Sequence, residues 1–135
     1  MRIALLTLVM AAMAAAHPMG NFSVSHYARF DVRPGATEMT YALDLAEIPT
    51  FELTQAWKLD GRDPRAIEAR AIENAPAWLA GLRVAADGRP VKLRFTRALA
   101  AVSEGAGAMP VLRVTIVATL AASNGRIQYD DTNYA

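Results

Sequence analysis

The chain holds two histidines, His17 and His26, and no cysteine. Imidazole is a ligand that Zn, Cu, Ni and Co sites share, so the pair points first to a divalent transition metal. His17 has a second donor in prospect. Met1-Arg2 opens the chain with a positive charge, residues 3–13 are an almost unbroken apolar run, and Ala14-Ala15-Ala16 offers the small-x-small pattern of a cleavable export leader. Cutting after Ala16 makes His17 the new N-terminus, and its α-amine and imidazole can then grip one ion at two points. Pro18 removes the amide N–H that a square-planar peptide chelate must deprotonate, which leaves the amine, the imidazole and His26 as the nitrogen donors. Plainer readings stand beside these. A first residue after cleavage is often frayed and solvated, and a lone histidine on an apolar strand face is often a hydrogen-bonded core residue.

The elements that must position these residues are written in period two. Residues 21–32 alternate strictly, with Phe22, Val24, His26, Ala28, Phe30 and Val32 on one face and Ser23, Ser25, Tyr27, Arg29 and Asp31 on the other, the signature of a half-buried strand. Arg33-Pro34-Gly35 turns the chain, and Met39, Tyr41, Leu43 and Leu45 then face away from Thr40, Ala42 and Asp44, giving an antiparallel partner. Glu47-Ile48-Pro49-Thr50 breaks that strand, and residues 50–57 read as a short helix or an irregular loop. Asp63-Pro64 is a helix start, an acceptor at the N-cap followed by a proline whose missing N–H costs nothing there. Ile67, Ala71, Ala75 and Trp78/Leu79 recur at helical spacing, with Pro76 predicting a kink or two short helices. Trp57 and Trp78 are expected to anchor this helical part over the sheet.

The rest is β again. Asp87-Gly88 marks a hairpin, and Val91, Leu93 and Phe95 start a strand that extends toward Val102. Residues 103–110 form a connection, and Leu112, Val114, Ile116, Ala118 and Leu120 make the clearest strand of all. Asn124-Gly125 is another tight turn, before a last strand from Ile127. Strands joined by hairpin turns around one helical insertion predict a mainly β fold, an antiparallel Ig-like β-sandwich with a short helical insertion, preceded by a signal peptide. The expected organisation is a leader over residues 1–16 and an extracytoplasmic sandwich domain over residues 17–135. The abrupt close at Asp130-Asp131-Thr132-Asn133-Tyr134-Ala135 reads as a cut within a longer chain.

Composition narrows the functions. A net charge of +1 with scattered charges gives no footprint for nucleic acid. The absence of cysteine excludes disulfides, thiolate metal sites and a cysteine nucleophile. The leader's apolar run of about 13 residues falls short of the roughly 20 that span a bilayer, and residues 111–122 are interrupted by Arg113, Thr115 and Thr119. No nucleophile elbow, His-Glu helix pair or glycine-rich phosphate loop occurs, so an enzyme is not expected. Asp31, Asp44 and Glu47 lie near strand ends and could lend oxygens to a metal, although carboxylates in such places usually face water.

The stretch from His17 through Asn21-Phe22-Ser23-Val24-Ser25-His26-Tyr27 resembles the HPLGNFTxNHY-type start of exported domains that precede bacterial membrane proteins of the nickel/cobalt transporter class. Asp44-Leu45-Ala46-Glu47-Ile48-Pro49-Thr50-Phe51, Asp87-Gly88-Arg89-Pro90-Val91 and Tyr129-Asp130-Asp131-Thr132-Asn133-Tyr134 resemble further blocks of that domain, in the same order. Met19, where leucine is common, and Pro76 are departures. The resemblance implies a β-rich domain on the periplasmic or extracytoplasmic side, followed by a membrane bundle of the same or a partner polypeptide that moves Ni or Co. The bundle's histidine/aspartate helix motif has no counterpart here, so transport itself does not carry over. The expected role is capture or docking of Ni or Co, with Cu or Zn as alternatives, through His17 and His26. A module that binds no metal and serves structure or interaction, and a free periplasmic metal-binding protein, are the rival readings.

Overall fold

The structure, a computed structural model, describes residues 20–123 and 125–135. The expected leader, His17 and the Asn124 half of the expected Asn-Gly turn lie outside the described residues. The chain is mainly β, with two antiparallel sheets and two helices in a sandwich-like arrangement. Strands β1 (Val24–Arg33), β2 (Ala36–Leu45), β5 (Arg94–Glu104) and β6 (Pro110–Leu120) form the larger sheet in the order β1-β2-β6-β5. Strands β3 (Leu82–Ala86), β4 (Arg89–Val91) and β7 (Ile127–Asp131) form the smaller one, in the order β4-β3-β7. Between β2 and β3 run α1 (Glu47–Ala56) and α2 (Pro64–Ala80).

The turns follow their residue chemistry. Arg33 pairs with Ala36 across Pro34-Gly35, where Gly35 takes φ +83°. Asp87 and Gly88 both have positive φ, at 51° and 80°, the conformation that a type I′ hairpin requires and that Asp-Gly supplies. Asp63 caps α2 by accepting a hydrogen bond from the Ala66 amide at 3.1 Å, with Pro64 in the first turn.

One face of the larger sheet builds the core. Met39, Tyr41, Leu43 and Leu45 of β2 and Leu112, Val114, Ile116 and Ala118 of β6 are all buried, as their alternation predicts. Register sets them in rows, such as Ala28–Tyr41–Ile116–Ala98. Over the β5 and β6 side of this face lies α2, contributing Ile67, Ala71, Ala75, Trp78 and Leu79. Over the β1 side lies the smaller sheet, where the Tyr129 ring meets Phe30 edge-on at 6.0 Å. Trp57 and Trp78 do anchor the helical part, their rings meeting at 6.3 Å.

Four local expectations need correction. Residues 47–56 are a regular helix that begins at Glu47 itself, and Pro49 fits because the first turn leaves its amides unpaired in any case. Of the two outcomes expected at Pro76, the pair of short helices is not found: a single helix runs through it. Pro76 sits on its exposed side, where water can satisfy the carbonyl that loses its partner. The strand expected from Val91 to Val102 is two strands, because the chain leaves the smaller sheet at Lys92-Leu93 and enters the larger one at Arg94, with a bulge between Phe95 and Arg97. Phe22 and Val32, at the two ends of the first alternating run, are exposed, since the cover over β1 reaches only its middle.

The outer face of the larger sheet is open, and Leu99 on it is 64% exposed, whereas Ile116 on the inner face is 1% exposed. Ile116→Ala should therefore lower the unfolding free energy by about 2–5 kcal/mol, and Leu99→Ala should stay within about 0.5 kcal/mol of wild type. Urea unfolding of both variants checks this; similar losses would mean that the two faces are assigned wrongly.

Candidate functional site

His26 lies on the inner face of β1, opposite Leu43, and reaches past it to the end of β7. Alternation along β7 turns Ile127, Tyr129 and Asp131 inward and Gln128 and Asp130 outward, so Asp131 alone of the adjacent aspartates enters the interior. Its Oδ2 lies 2.6 Å from His26 Nδ1. The same oxygen accepts hydrogen bonds from the Tyr41 hydroxyl at 2.7 Å and the Tyr129 hydroxyl at 3.0 Å. Its other oxygen, Oδ1, accepts the Asn133 backbone N–H and side-chain Nδ2, both at 2.9 Å. The Asp131 side chain is 10% exposed and that of His26 27%.

Asn133 carries the network on. Its Nδ2 also donates to the Trp78 carbonyl at 2.9 Å, and Thr132 donates to the Gly81 carbonyl through both its amide and its hydroxyl. Gly81 follows α2 directly, and a Cβ there would sit 2.8 Å from Asn133 Cγ, so a glycine is what allows this close approach. The Tyr134 ring stands edge-on to His26 at 6.4 Å. One carboxylate thus ties β1, β2, β7 and the C-terminal end of α2.

The electrostatics follow from this crowding. Burial alone would raise the Asp131 pKa, but hydrogen bonds from His26, Tyr41, the Asn133 amide and Tyr129 outweigh it and hold the value down at about 2. Tyr41 and Tyr129 shift the other way, chiefly because burial disfavours a phenolate and next because a charged Asp131 accepts from each hydroxyl. Two neutral phenols therefore donate to one ionised carboxylate. A carboxylate in that state can only accept, so His26 Nδ1 must carry a proton in either charge state of the ring. The nitrogen left to lose a proton or take a ligand is Nε2, which has no hydrogen-bond partner among the described residues.

The other carboxylates considered from the sequence are committed elsewhere. Asp31 pairs with Arg29 at 2.8 Å. Asp44 takes both arms of Arg113, whose hydrogen bonds hold its pKa below the usual carboxylate range against a smaller effect of burial. Glu47 is buried, and its two oxygens accept the amides of Ala106, at 2.6 Å, and Asn21, at 3.0 Å. The Ala106 bond is the largest cause of its lowered pKa. Glu47 is therefore a staple between the arm before β1, the start of α1 and the turn after β5. Gly20 packs beside it, where a Cβ would meet Ile48 Cδ1 at 3.1 Å. Among the described residues, no group of three or more His, Cys, Asp or Glu side chains converges to hold a metal ion, and no helix is long and apolar enough to cross a membrane.

No family model matches the chain, and no curated protein or solved structure matches it either. Function must therefore be argued from the His26–Asp131 geometry and from the sequence blocks themselves. Three of those blocks meet in space. The first is stitched to the second by Ala46 N–H to Ser23 O and Ile48 N–H to Asn21 O, and it is tied to the last by His26–Asp131. Sequence reasoning set His26 beside His17 and missed Asp131 as its partner, because no local spacing connects residues 105 positions apart.

With a folded-state pKa of about 2 against roughly 3.9 in an unfolded chain, Asp131 contributes about 2 kcal/mol. That contribution is fully present above about pH 4 and disappears as the pH falls toward 2. Asp131→Asn should cost at least about 2 kcal/mol at neutral pH and flatten this acid limb. Denaturant titrations from pH 7 to pH 2 check both; an unchanged acid limb in the variant would assign the limb to other carboxylates.

Proposed function

We propose that this protein is an exported domain on the periplasmic or extracytoplasmic face of the membrane that captures a divalent metal ion. The resemblance favours Ni or Co, and the ion is passed to a membrane bundle of the same or a partner polypeptide. The observation that carries this reading is the His26–Asp131 pair. Histidines that ligate metals almost always give their second ring N–H to a carboxylate, a carbonyl or a water, which fixes the ring and raises the basicity of the ligating nitrogen. His26 has that arrangement, with Nδ1 committed to Asp131 at 2.6 Å and Nε2 left for an ion.

One imidazole does not hold a metal, and the further donors in this proposal are the α-amine and imidazole of a processed His17. The arm before β1 is fixed beside α1 through Asn21, Ser23 and Gly20. From Gly20 to His26 the chain spans about 20 Å when extended, and from His17 to Gly20 about 10 Å. His17 therefore shares the ion of His26 only by doubling back along β1. Three nitrogens assembled in this way bind modestly and exchange quickly, which suits capture and transfer better than storage. The chemistry asked of the protein is ligation alone, with no bond made or broken in a substrate.

A second reading has its own observation. The five hydrogen bonds on Asp131 join β1, β2, β7 and the residues after it, which is also what a purely architectural module would need. Calorimetry with Ni(II) separates the two on three proteins: the chain processed to His17, the same chain with one residue added ahead of His17, and His26→Ala. Metal capture predicts about one Ni(II) per processed chain, weaker in acid where protons compete for the nitrogens. It also predicts about tenfold weaker binding for each altered protein. Equal affinities in all three, or no binding, would leave the architectural reading in place.

A further inference from the structure

We infer that the outer edge of β1 pairs with the same edge of a second copy of this chain, antiparallel and centred on Phe30, so that two larger sheets become one. The inference stands apart from the metal reading. The larger sheet ends on β1 and β5, the smaller on β4 and β7. An unpaired edge is a template for another strand, and proteins blunt it with short strands, proline, bulges or a covering element. Three of these edges are blunted in that way. β4 has three residues and contains Pro90, and β7 has five residues. β5 carries the bulge between Phe95 and Arg97, and Glu68 of α2 accepts its Val102 amide at 3.1 Å. Of the four edge strands, β1 alone is long and regular, ten residues without proline, glycine or bulge.

Alternation decides which groups β1 offers. The Asn21 and Ser23 carbonyls accept the amides of Ile48 and Ala46, and the register runs on unbroken. Odd-numbered residues therefore turn their main chain toward β2, and Ala28, Phe30 and Val32 turn theirs outward. Those outward groups meet no hydrogen-bond partner among the described residues. A two-fold axis through Phe30 sets Ala28 opposite Val32 of the second copy, both with outward main chain, and Arg29 opposite Asp31 of the second copy. The Arg29 and Asp31 side chains are 58% and 32% exposed and already paired at 2.8 Å, so with their copies they close a ring of alternating charges. An axis one residue to either side, at Arg29 or at Asp31, places like charges face to face, which is destabilising. On the inner face Phe30 meets its own copy, and Val32, 45% exposed, gains Ala28 of the second copy as cover. Charge and apolar cover select the same register.

Sedimentation equilibrium of the full chain and of two charge reversals tests this. The wild type should dimerise reversibly. Arg29→Asp and Asp31→Arg each put like charges opposite one another, so each variant alone should dimerise at least about tenfold more weakly. Mixed in equal amounts, the two variants should recover wild-type association, because each acidic side chain of one then faces a basic side chain of the other. Amide exchange followed by NMR should slow at Ala28, Phe30 and Val32 as the wild-type chain is concentrated, which reads the edge without any substitution. A wild type that stays monomeric at millimolar concentration would overturn the proposal and leave the edge to a strand of a different protein. A dimer indifferent to both reversals, variants that fail to associate on mixing, or a dimer without slowed exchange at those amides would overturn it as well.

Discussion

The fold closes on one half-buried carboxylate. Asp131 collects five hydrogen bonds from four residues that lie on the first strand, the second strand, the last strand and the segment beyond it. An ionised group in such a place is costly unless every lone pair is answered, and here two phenols, an imidazole N–H, a backbone amide and a carboxamide answer it. That condition dictates much around it. Tyr41 must bring its hydroxyl through the core, Asn133 must approach the end of α2, and position 81 must lack a side chain. His26 is drawn in by the same requirement, which explains why a polar ring sits on the inner face of β1 among Val24, Ala28 and Phe30.

The pairing of His26 with Asp131 also decides what the imidazole can do. With Nδ1 bound to a carboxylate that can only accept, the ring has one nitrogen to offer and a fixed direction in which to offer it. Such a ring is prepared for a ligand or for a purely structural life. The absence of a second histidine or free carboxylate beside it, among the described residues, means that other donors must come from elsewhere in the protein for the first of these to hold. The staple made by Glu47 matters for the same reason, because it fixes where the N-terminal arm begins its path toward His26.

Much of the fold was legible in the residues. The alternation in β1, β2 and β6, the Pro-Gly and Asp-Gly turns and the Asp63-Pro64 helix start are local signals, and each acted locally. What escaped was set by tertiary contact. Residues 47–56 carry weak helical periodicity, and their helix is secured by the Glu47 staple and by buried Thr50 and Thr54, whose hydroxyls bond to backbone carbonyls. The break at Lys92-Leu93 reflects a change of sheet, which period two cannot announce. Of the site, His26 was visible as a polar residue on an apolar face. Asp131 was visible only as part of the Tyr129–Tyr134 block, because the contact between them is long-range and the outward Asp130 looks equivalent until the strand phase is known.

The central claim is that Asp131 fixes the proton of His26 on Nδ1 and leaves Nε2 bare. Nitrogen-15 NMR of the imidazole reads directly which ring nitrogen carries the proton. The geometry predicts the Nδ1–H form in the wild-type protein, giving way to a mixture or to the Nε2–H form in Asp131→Asn. A wild-type ring with its proton on Nε2 would contradict the account, because its lone pair would then lie on Nδ1 against the Asp131 carboxylate, leaving no N–H to give Asp131 and no acceptor on Nε2.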